Sequence, residues 1–423
     1  MKKVLSFALA LLMLVSAISV ASAEAVTTIK WWAFPTFAQP EGAAAGTYEA
    51  SIVEAFEAAN PGIKVKQEAI KNTEYNTLLS AALKDDKSAP DVFMSRAYGG
   101  LQTYSDSGYI QELDELIPTI HDYAPTALQG ATSLTDGKIY GVPVASQTVF
   151  CYYNKNLYKE LGLEVPTTWD QFIANLKKSK EAGYIGLANG TKDGWTNETL
   201  FGGVAPSFYG GDEFFNKLMA GETNFEDPAF VAAIEKMYEL REYMPDLYEG
   251  VNYEDMRNNF VEELAVHFIG GSYEAGYLNS QNDKLEYGMF AVPGEEGKPA
   301  YVSVYADANF SIAKASKHPE EALTFLKYLA SKEFGEKYAK ELKMVSSTPG
   351  IDVSDEPFIQ EVLKLQEHSA NFLFLVGFRY EQPTGSSLLQ STAQDMMVGK
   401  MTPADMCAEI QKGIAAYFKP FQK

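Results

Sequence analysis

Short apolar strand patterns alternate with amphipathic helix patterns near the start of the chain. Strand-like runs at residues 27–32, 63–66 and 90–94 are separated by helical runs that begin near Thr47 and Thr73. In the helical runs apolar residues recur at the spacing of one helix face. Two strands joined by a crossover helix usually lie parallel in one sheet, so the alternation predicts an α/β fold with a mostly parallel sheet flanked by helices.

Helix signals continue along the rest of the chain. Thr168 and Gln171 form a capping-box pattern, Pro319 suits a first helical turn, and Thr402-Pro403 begins a last amphipathic run. The 423 residues exceed the size of one ordinary core, which predicts two or three domains. Because no long linker is visible, we expect the chain to cross between its domains more than once.

The first 23 residues have the pattern of a secretion signal. Lys2 and Lys3 precede an apolar stretch at 4–20, and Ala21-Ser22-Ala23 has the small residues of a cleavage site. An uncleaved anchor is the alternative, but the apolar run is shorter than the ~20 residues of a membrane span. The cleavage region contains no cysteine for a lipid anchor. We therefore expect an exported, soluble protein, in the periplasm or outside the cell.

The formal charge of -21 disfavours binding to nucleic acid or to anionic membranes. Cys151 and Cys407 could pair in an exported protein, although both lie in apolar patterns that favour buried thiols. The four histidines are scattered, and the sequence contains no zinc, phosphate-loop, dinucleotide or nucleophile-elbow motif. The sequence therefore predicts no catalytic residue, no metal and no cofactor.

Several local patterns stand in a fixed order along the chain. They are Phe56 to Val65 (FEAANPGIKV), Ala89 to Phe93 (APDVF), Gly108 to Ile110 with Leu113-Asp114, Asp136 to Pro143 (DGKIYGVP), Tyr152 to Leu157 (YYNKNL), Pro166 to Trp169 (PTTW), Ala291 to Gly294 (AVPG) and Ser316 to Ala322 (SKHPEEA). Each pattern is weak alone, but their order and spacing together are specific, and the chain resembles the family 1 extracellular solute-binding proteins of ABC sugar importers.

The resemblance implies a type II, two-lobed binding-protein fold with the ligand enclosed between the lobes. By analogy the chain crosses between lobes near 145–148, 301–305 and 345–350. The N-lobe would combine residues 24–145 with 306–344, and the C-lobe 146–305 with 345–423. It also implies a monomer that closes on its ligand and delivers it to the permease subunits of an ABC transporter.

A sugar presents C–H faces that pack on aromatic rings and hydroxyls that need donors and acceptors. A sugar cleft therefore combines exposed aromatic side chains with Asp, Glu, Asn, Gln and Arg, usually at the carboxyl ends of strands. On that chemistry, with positions taken from the resemblance, the candidate ligand-binding residues are Trp31, Trp32, Phe34, Ser95, Arg96, Tyr98, Gln147, Trp195, Asn197, Glu198, Tyr273, Tyr305, Asp307, Asn309, Arg379 and Glu381.

Some of these positions carry particular expectations. Neighbouring strand residues face opposite ways, so at least one of Trp31 and Trp32 is expected in the cleft. Gln147 stands where relatives place an acid, and Tyr273 where they often place a stacking tryptophan. Asp307 lies where relatives have consecutive glycines. These differences suggest an oligosaccharide other than maltose.

Two other functions remain open from the sequence. A secreted glycoside hydrolase needs only two well-placed carboxylates, which this acidic chain could supply. A binding protein for a polyamine, a metal chelate or a phosphate ester is the second alternative, since aromatic side chains also bind cations. The mixture of polar and aromatic candidates favours a sugar.

Overall fold

The computed structural model describes residues 26–33, 48–70, 72–85 and 87–422. The predicted secretion signal and the candidate Phe34 lie outside these residues. The strands are β1 (Thr27–Ala33), β2 (Ile63–Ala69), β3 (Val92–Arg96), β4 (Val142–Asn154), β5 (Ile185–Leu187), β6 (Ala265–Gly271), β7 (Tyr287–Phe290), β8 (Val302–Ile312) and β9 (Ser369–Asn371).

Helices connect and cover these strands. The α-helices are α1 (Tyr48–Ala59), α2 (Asn72–Ala82), α3 (Gly99–Asp106), α4 (Pro125–Gln129), α5 (Lys155–Leu161), α6 (Trp169–Glu181), α7 (Gly194–Val204), α8 (Pro206–Tyr209), α9 (Gly211–Ala220), α10 (Pro228–Glu239), α11 (Tyr253–Val261), α12 (Ala275–Gln281), α13 (Pro319–Leu329), α14 (Lys332–Leu342), α15 (Pro357–Leu365), α16 (Leu373–Gly377), α17 (Gly385–Met397) and α18 (Pro403–Ala415). Short 3-10 turns lie at 118–122, 240–243, 248–250, 272–274, 366–368 and 419–422.

The predicted helix starts correspond to real caps. Thr168 accepts a hydrogen bond from the Gln171 amide at the start of α6. Gln171 reaches back one residue further than a standard capping box, and its side-chain oxygen accepts from the amide of Thr167. Thr402 and Asp405 form a complete capping box at α18. Pro319 occupies the first turn of α13, whose Phe325 and Leu326 are fully buried as predicted.

The strands lie in the order β2-β1-β3-β8-β4-β6-β5, with β7 beside β4 and β9 beside β8. β1 is parallel to both β2 and β3, and β5 is parallel to β6. Antiparallel pairing runs through the middle, where β8 pairs with β3 and β4. The sheet is therefore mixed, because the long strands β4 and β8 pass through its centre in opposite directions.

Two large hydrophobic cores lie at opposite ends of these central strands. The first core contains Val142 and Phe310 together with residues of β1, β3, α13 and α14. The second core contains Val149 and Tyr305 together with residues of α7, α10, α17 and α18. A third, smaller core contains Phe150 and covers another part of the same end of the sheet. Each central strand thus contributes to both halves of the molecule.

A third segment passes between the halves after α14. Met344 belongs to the first core, whereas the next residue, Val345, belongs to the third. Backbone hydrogen bonds from Ser146 to Val345 and from Ser347 to Val144 tie this segment to β4. Three chain segments therefore lie side by side where the halves meet.

Both cysteines, Cys151 and Cys407, are fully buried free thiols, as their apolar surroundings indicated. Among the described residues, no helix has the length and apolar character needed to cross a membrane.

Candidate functional site

An ion pair marks the place where the two halves meet. Arg96 is the last residue of β3, and Asp307 lies on the adjacent strand β8. The guanidinium Nη2 of Arg96 is 2.8 Å from Oδ1 of Asp307, with about a quarter or less of either side chain exposed (25% and 19%). Because β8 also runs into the other half of the molecule, this pair lies at the base of the cleft.

The turn after β3 extends from the first half into the second. Tyr98 belongs to the second core, and its hydroxyl accepts a hydrogen bond from the Ala306 amide at 3.1 Å. Burial raises the pKa of the Tyr98 phenol to about 12. Its ring meets Tyr380 edge to face, with centroids 6.4 Å apart.

Tyr98 has a φ of 59°, a conformation that a non-glycine residue seldom adopts and that often accompanies a functional site. The next residue, Gly99, leaves no room for a side chain, since a β-carbon there would lie 2.0 Å from the carbonyl oxygen of Arg379. The turn and the 379–380 segment are therefore in direct backbone contact.

Glu198 and Arg379 bring a second pair of opposite charges to this region. Glu198, on α7, is 5% exposed, and one of its carboxylate oxygens, Oε2, accepts a hydrogen bond from Gln390 on α17 at 2.9 Å. Burial raises the pKa of Glu198, and Arg379 lowers it in part. Burial, with the like charge of Arg96, lowers the pKa of Arg379, whereas Glu198 and Asp307 raise it.

Two tyrosines complete this group. Tyr273 follows β6 and packs against the first core although it belongs to the opposite half of the chain. Tyr305 lies on β8 opposite Gln147 and meets Phe372 edge to face at 5.3 Å. Burial raises the pKa of both phenols. We call the set formed by Arg96, Tyr98, Glu198, Tyr273, Tyr305, Asp307, Arg379 and Tyr380 the cleft cluster.

A second group of aromatic and charged side chains lies beside the cleft cluster, and most of its members were not predicted from the sequence. Trp195 lies in the first turn of α7 and is 37% exposed, with its ring edge-on to Tyr253 at 4.6 Å. The Tyr253 hydroxyl donates to the carboxylate of Glu274, 3.0 Å from each oxygen, and Arg257 stacks above the Tyr253 ring at 4.2 Å. Only Trp195 was a candidate.

The missed residues gave almost no signal in the sequence. Glu274 directly follows the predicted Tyr273, and that adjacency was the one available clue. Nothing in the sequence separates Tyr253 from the other tyrosines among the 25 in the chain. The hydrogen bond between Tyr253 and Glu274 joins residues 21 positions apart and depends on how α11 packs against the end of β6.

Several predicted residues have structural roles instead. Trp31 is fully buried in the first core between the edges of Phe310 and Phe325, because its side chain faces inward from β1. Its prediction as a ligand residue is therefore corrected. Trp32, on the opposite face, is partly buried, and its indole nitrogen has no hydrogen-bond partner among the described residues.

Ser95, Asn309 and Asn197 also need correction, since all three are fully buried and bonded inside the protein. The Ser95 hydroxyl bonds to that of Ser311 at 2.8 Å, and Asn309 donates to the carbonyl of Gly130 at 3.0 Å. Asn197 donates to the Thr191 carbonyl in the loop before α7. These groups bond to buried polar atoms of the framework, although Oδ1 of Asn309 and Oδ1 of Asn197 have no hydrogen-bond partner among the described residues.

Gln147 lies beside the cleft cluster, opposite Tyr305 on β8, whereas Glu381 stands apart from it. Gln147 is 1% exposed on β4, and its side-chain oxygen accepts from the Ser272 hydroxyl at 2.7 Å. Its remaining polar group is the amide nitrogen. Glu381 is exposed, and its charge helps to raise the pKa of the Tyr417 phenol near the C-terminus. It is not brought into the cluster.

Within the part of the chain that the structure describes, no group of three or more His, Cys, Asp or Glu side chains could hold a metal ion. The cleft cluster instead offers ring faces, guanidinium donors and carboxylate acceptors. This chemistry suits an organic ligand that carries both C–H surface and hydrogen-bonding groups.

A two-lobed α/β fold with this polar and aromatic cleft defines an extracellular solute receptor. Residues 39–336 match the family described as "Bacterial extracellular solute-binding protein", and the chain belongs to that family. The predicted family and the type II fold class are therefore confirmed.

Two sequence relatives and one solved structure illustrate this similarity. The multiple sugar-binding protein of Streptococcus mutans is 28% identical over 300 residues, which are 68% of this chain and 69% of that protein. The maltodextrin-binding protein MdxE of Bacillus subtilis is 28% identical over 57% of each chain. A solved structure from a study of xylan utilization by Caldanaerobius polysaccharolyticus has 22% identity and a TM-score of 0.78, covering 92% of this chain and 100% of that one.

Proposed function

We propose that this protein is the extracytoplasmic receptor of an ABC importer and that it binds a carbohydrate, in particular an oligosaccharide, between its lobes. The observation that carries the proposal is the cleft cluster, in which Arg96 and Tyr98 from one lobe meet Glu198, Tyr273 and Arg379 from the other. Ring faces suit the C–H surface of a sugar, while the charged groups suit its hydroxyls. The names of the two relatives that bind sugars point to the same ligand class.

Lobe closure is the proposed mechanism. A ligand that touches both sides of the cleft gains its full set of contacts only in the closed arrangement, so it shifts the population toward that arrangement. We propose that the lobes comprise 24–145 with 306–344 and 146–305 with 345–423. The three central crossing segments would then serve as the hinge.

The proposal also covers the N-terminal segment and the state of the mature protein. We propose that residues 1–23 are removed on export and that the mature chain works as a soluble monomer beside the permease subunits. No step of this mechanism requires a cofactor or a bond to be broken.

A cationic ligand such as a polyamine fits the cleft less well. Arg96 and Arg379 are two of the few arginines in the chain, and both lie in the cleft cluster. Glu198 and Asp307 only balance these two arginines, so the cluster has no excess negative charge to attract a diamine.

The alternative of a glycoside hydrolase also has a specific obstacle. Glu198 and Asp307 are the carboxylates of the cleft cluster, but the carboxylate of Asp307 is held in an ion pair with Arg96. A retaining or inverting enzyme needs its second carboxylate free to attack the sugar or to activate water. We therefore propose binding without turnover.

A thermal-shift panel tests the proposal directly. A ligand that binds only the folded protein raises its melting temperature. We expect a rise with at least one of maltotriose, raffinose, xylotriose and chitotriose, and none with spermidine or putrescine. A rise with a polyamine and with no sugar would overturn the carbohydrate proposal, and sugar products after incubation would overturn binding without turnover.

A further inference from the structure

In the cleft cluster, the buried Glu198 and the partly buried Arg379 each have one atom without a hydrogen-bond partner among the described residues. Among the described residues, Oε1 of Glu198 and Nη1 of Arg379 form no hydrogen bond, although both atoms are shielded from solvent. Buried polar atoms are nearly always paired, and an unpaired charged group is the costliest exception. These two atoms therefore need an explanation.

The two groups interact without touching. The charge of Glu198 raises the pKa of Arg379, and the charge of Arg379 lowers that of Glu198, so the two charged groups lie near each other. They form no direct ion pair in the described part of the chain, which places the nitrogen and oxygen atoms more than 4.0 Å apart. The gap separates the Arg379 donor from the Glu198 acceptor, and the Ser386 hydroxyl, which also lowers the pKa of Glu198, is a third buried group there without a hydrogen-bond partner among the described residues.

The surrounding structure holds the carboxylate in place. Gln390, on α17, donates to the other oxygen of Glu198, Oε2, at 2.9 Å. Helices α7 and α17 pack side by side, and the side chain of Gln390 also lies against Gly194 at the start of α7. Gln390 is thus a positioning residue that binds Oε2, and Oε1 is left without a hydrogen-bond partner among the described residues.

The chemistry of the gap selects one kind of ligand group. A carbonyl could accept from Arg379 but has nothing to donate to Glu198, and an ammonium group has the opposite deficiency. A ligand carboxylate would be repelled by Glu198. A hydroxyl accepts through a lone pair and donates through its proton, so one hydroxyl can satisfy both groups.

We infer that Arg379 and Glu198 hold one hydroxyl of the bound sugar between them, with the guanidinium donating to its oxygen and the carboxylate accepting its proton. This inference rests on the proposed function and assigns specificity to a single pair of residues. A site built to hydrogen-bond a hydroxyl rejects an analogue that lacks it, because the protein groups are then left unpaired.

Analogues of the sugar provide the test. The probe is whichever of maltotriose, raffinose, xylotriose and chitotriose binds most tightly to the wild-type protein, together with its monodeoxy and monodeoxyfluoro derivatives. A deoxy position loses both hydrogen bonds, whereas a fluorine retains a weak acceptor for Arg379 but has no proton for Glu198. Calorimetric titration gives the dissociation constant for each analogue.

We expect one ring position at which the deoxy derivative binds the wild-type protein about 10- to 100-fold more weakly. In the Glu198→Leu and Arg379→Met variants that penalty falls to threefold or less, while the penalties at other positions are unchanged. Glu222→Gln, which changes an exposed carboxylate of the same lobe, keeps the wild-type pattern. Melting curves without ligand verify that each variant is folded, and Glu198→Ala or Arg379→Ala replaces the corresponding variant if it is not.

Three results are distinguishable. A position whose penalty disappears only in the two variants supports the inference. Tight sugar binding with the same penalties in all variants would overturn it and would mean that water or another protein group fills the gap. If no sugar binds the wild-type protein, the proposed function itself fails.

Discussion

Glu274 provides the most sharply defined perturbation in this protein. Its side chain is 1% exposed, and both carboxylate oxygens accept from the Tyr253 hydroxyl at 3.0 Å. Burial raises its pKa from 4.5 to about 7, against the opposing effects of Arg257 and Tyr253. Replacing Glu274 with glutamine removes the titrating group but retains its shape and an oxygen that can accept from Tyr253.

The magnitude and the sign follow from proton linkage. Between pH 4.5 and 7 the folded protein keeps a proton on Glu274 that the unfolded chain has already released. The contribution of this group to the free energy of unfolding is therefore greatest below pH 4.5 and is lost as the pH rises through 7, by ~3 kcal/mol in total.

A buried histidine opposes this trend. His267 bonds to Gly186 and Tyr158, and burial lowers its pKa from 6.5 to about 4. Its contribution is present above pH 6.5 and is lost as the pH falls toward 4, again by ~3 kcal/mol. The two groups therefore partly cancel in the wild-type protein, and Glu274→Gln should expose the effect of His267.

Urea unfolding from pH 4.5 to 8, followed by circular dichroism, measures this difference. As the pH rises from 4.5 to 8, we expect the free energy of unfolding of Glu274→Gln to increase by ~3 kcal/mol relative to that of the wild-type protein. Glu254→Gln, an exposed change on the adjacent helix α11, is the matched control and should track the wild-type curve. Parallel curves for Glu274→Gln and the wild-type protein would refute the linkage argument.

Three further predictions concern the cleft. Gly99→Val places side-chain atoms against the Arg379 carbonyl, so we expect a lower melting temperature and at least tenfold weaker sugar binding; unchanged titrations would contradict the close contact. Asp307→Asn removes the ion pair between Asp307 and Arg96 and should cost ~1 kcal/mol of stability, measured by urea unfolding, with a smaller loss in 1 M salt. Trp195→Ala should weaken sugar binding about tenfold, measured by calorimetry. Because this ring is partly exposed, the melting temperature should fall by less than about 3 °C. A large loss of stability with unchanged affinity would make Trp195 a structural residue.

The fold could be predicted from local signals because those signals are set by short-range chemistry. Pro319 and the Thr402-Pro403 pair begin helices for steric and hydrogen-bonding reasons that do not depend on the rest of the chain. The antiparallel course of β4 and β8 was harder to predict, since it depends on which strands meet at the centre of the sheet.

The site could be predicted only in part. Arg96, Asp307, Glu198, Tyr273 and Arg379 come together as their residue types suggested, whereas Ser95 and Asn309 face into the protein. The same hydroxyl or amide can serve a ligand or a buried backbone carbonyl, and the choice depends on the direction of the side chain from its strand. Residue type alone does not predict that direction.

Small-angle X-ray scattering with and without sugar tests the central claim most directly. The proposed receptor closes its lobes on the ligand, so the radius of gyration should fall when the protein is saturated with the tightest-binding sugar of the panel. Gly99→Val, measured in parallel, should show a smaller decrease. A radius of gyration that stays the same in wild-type protein at saturating sugar would contradict binding by lobe closure.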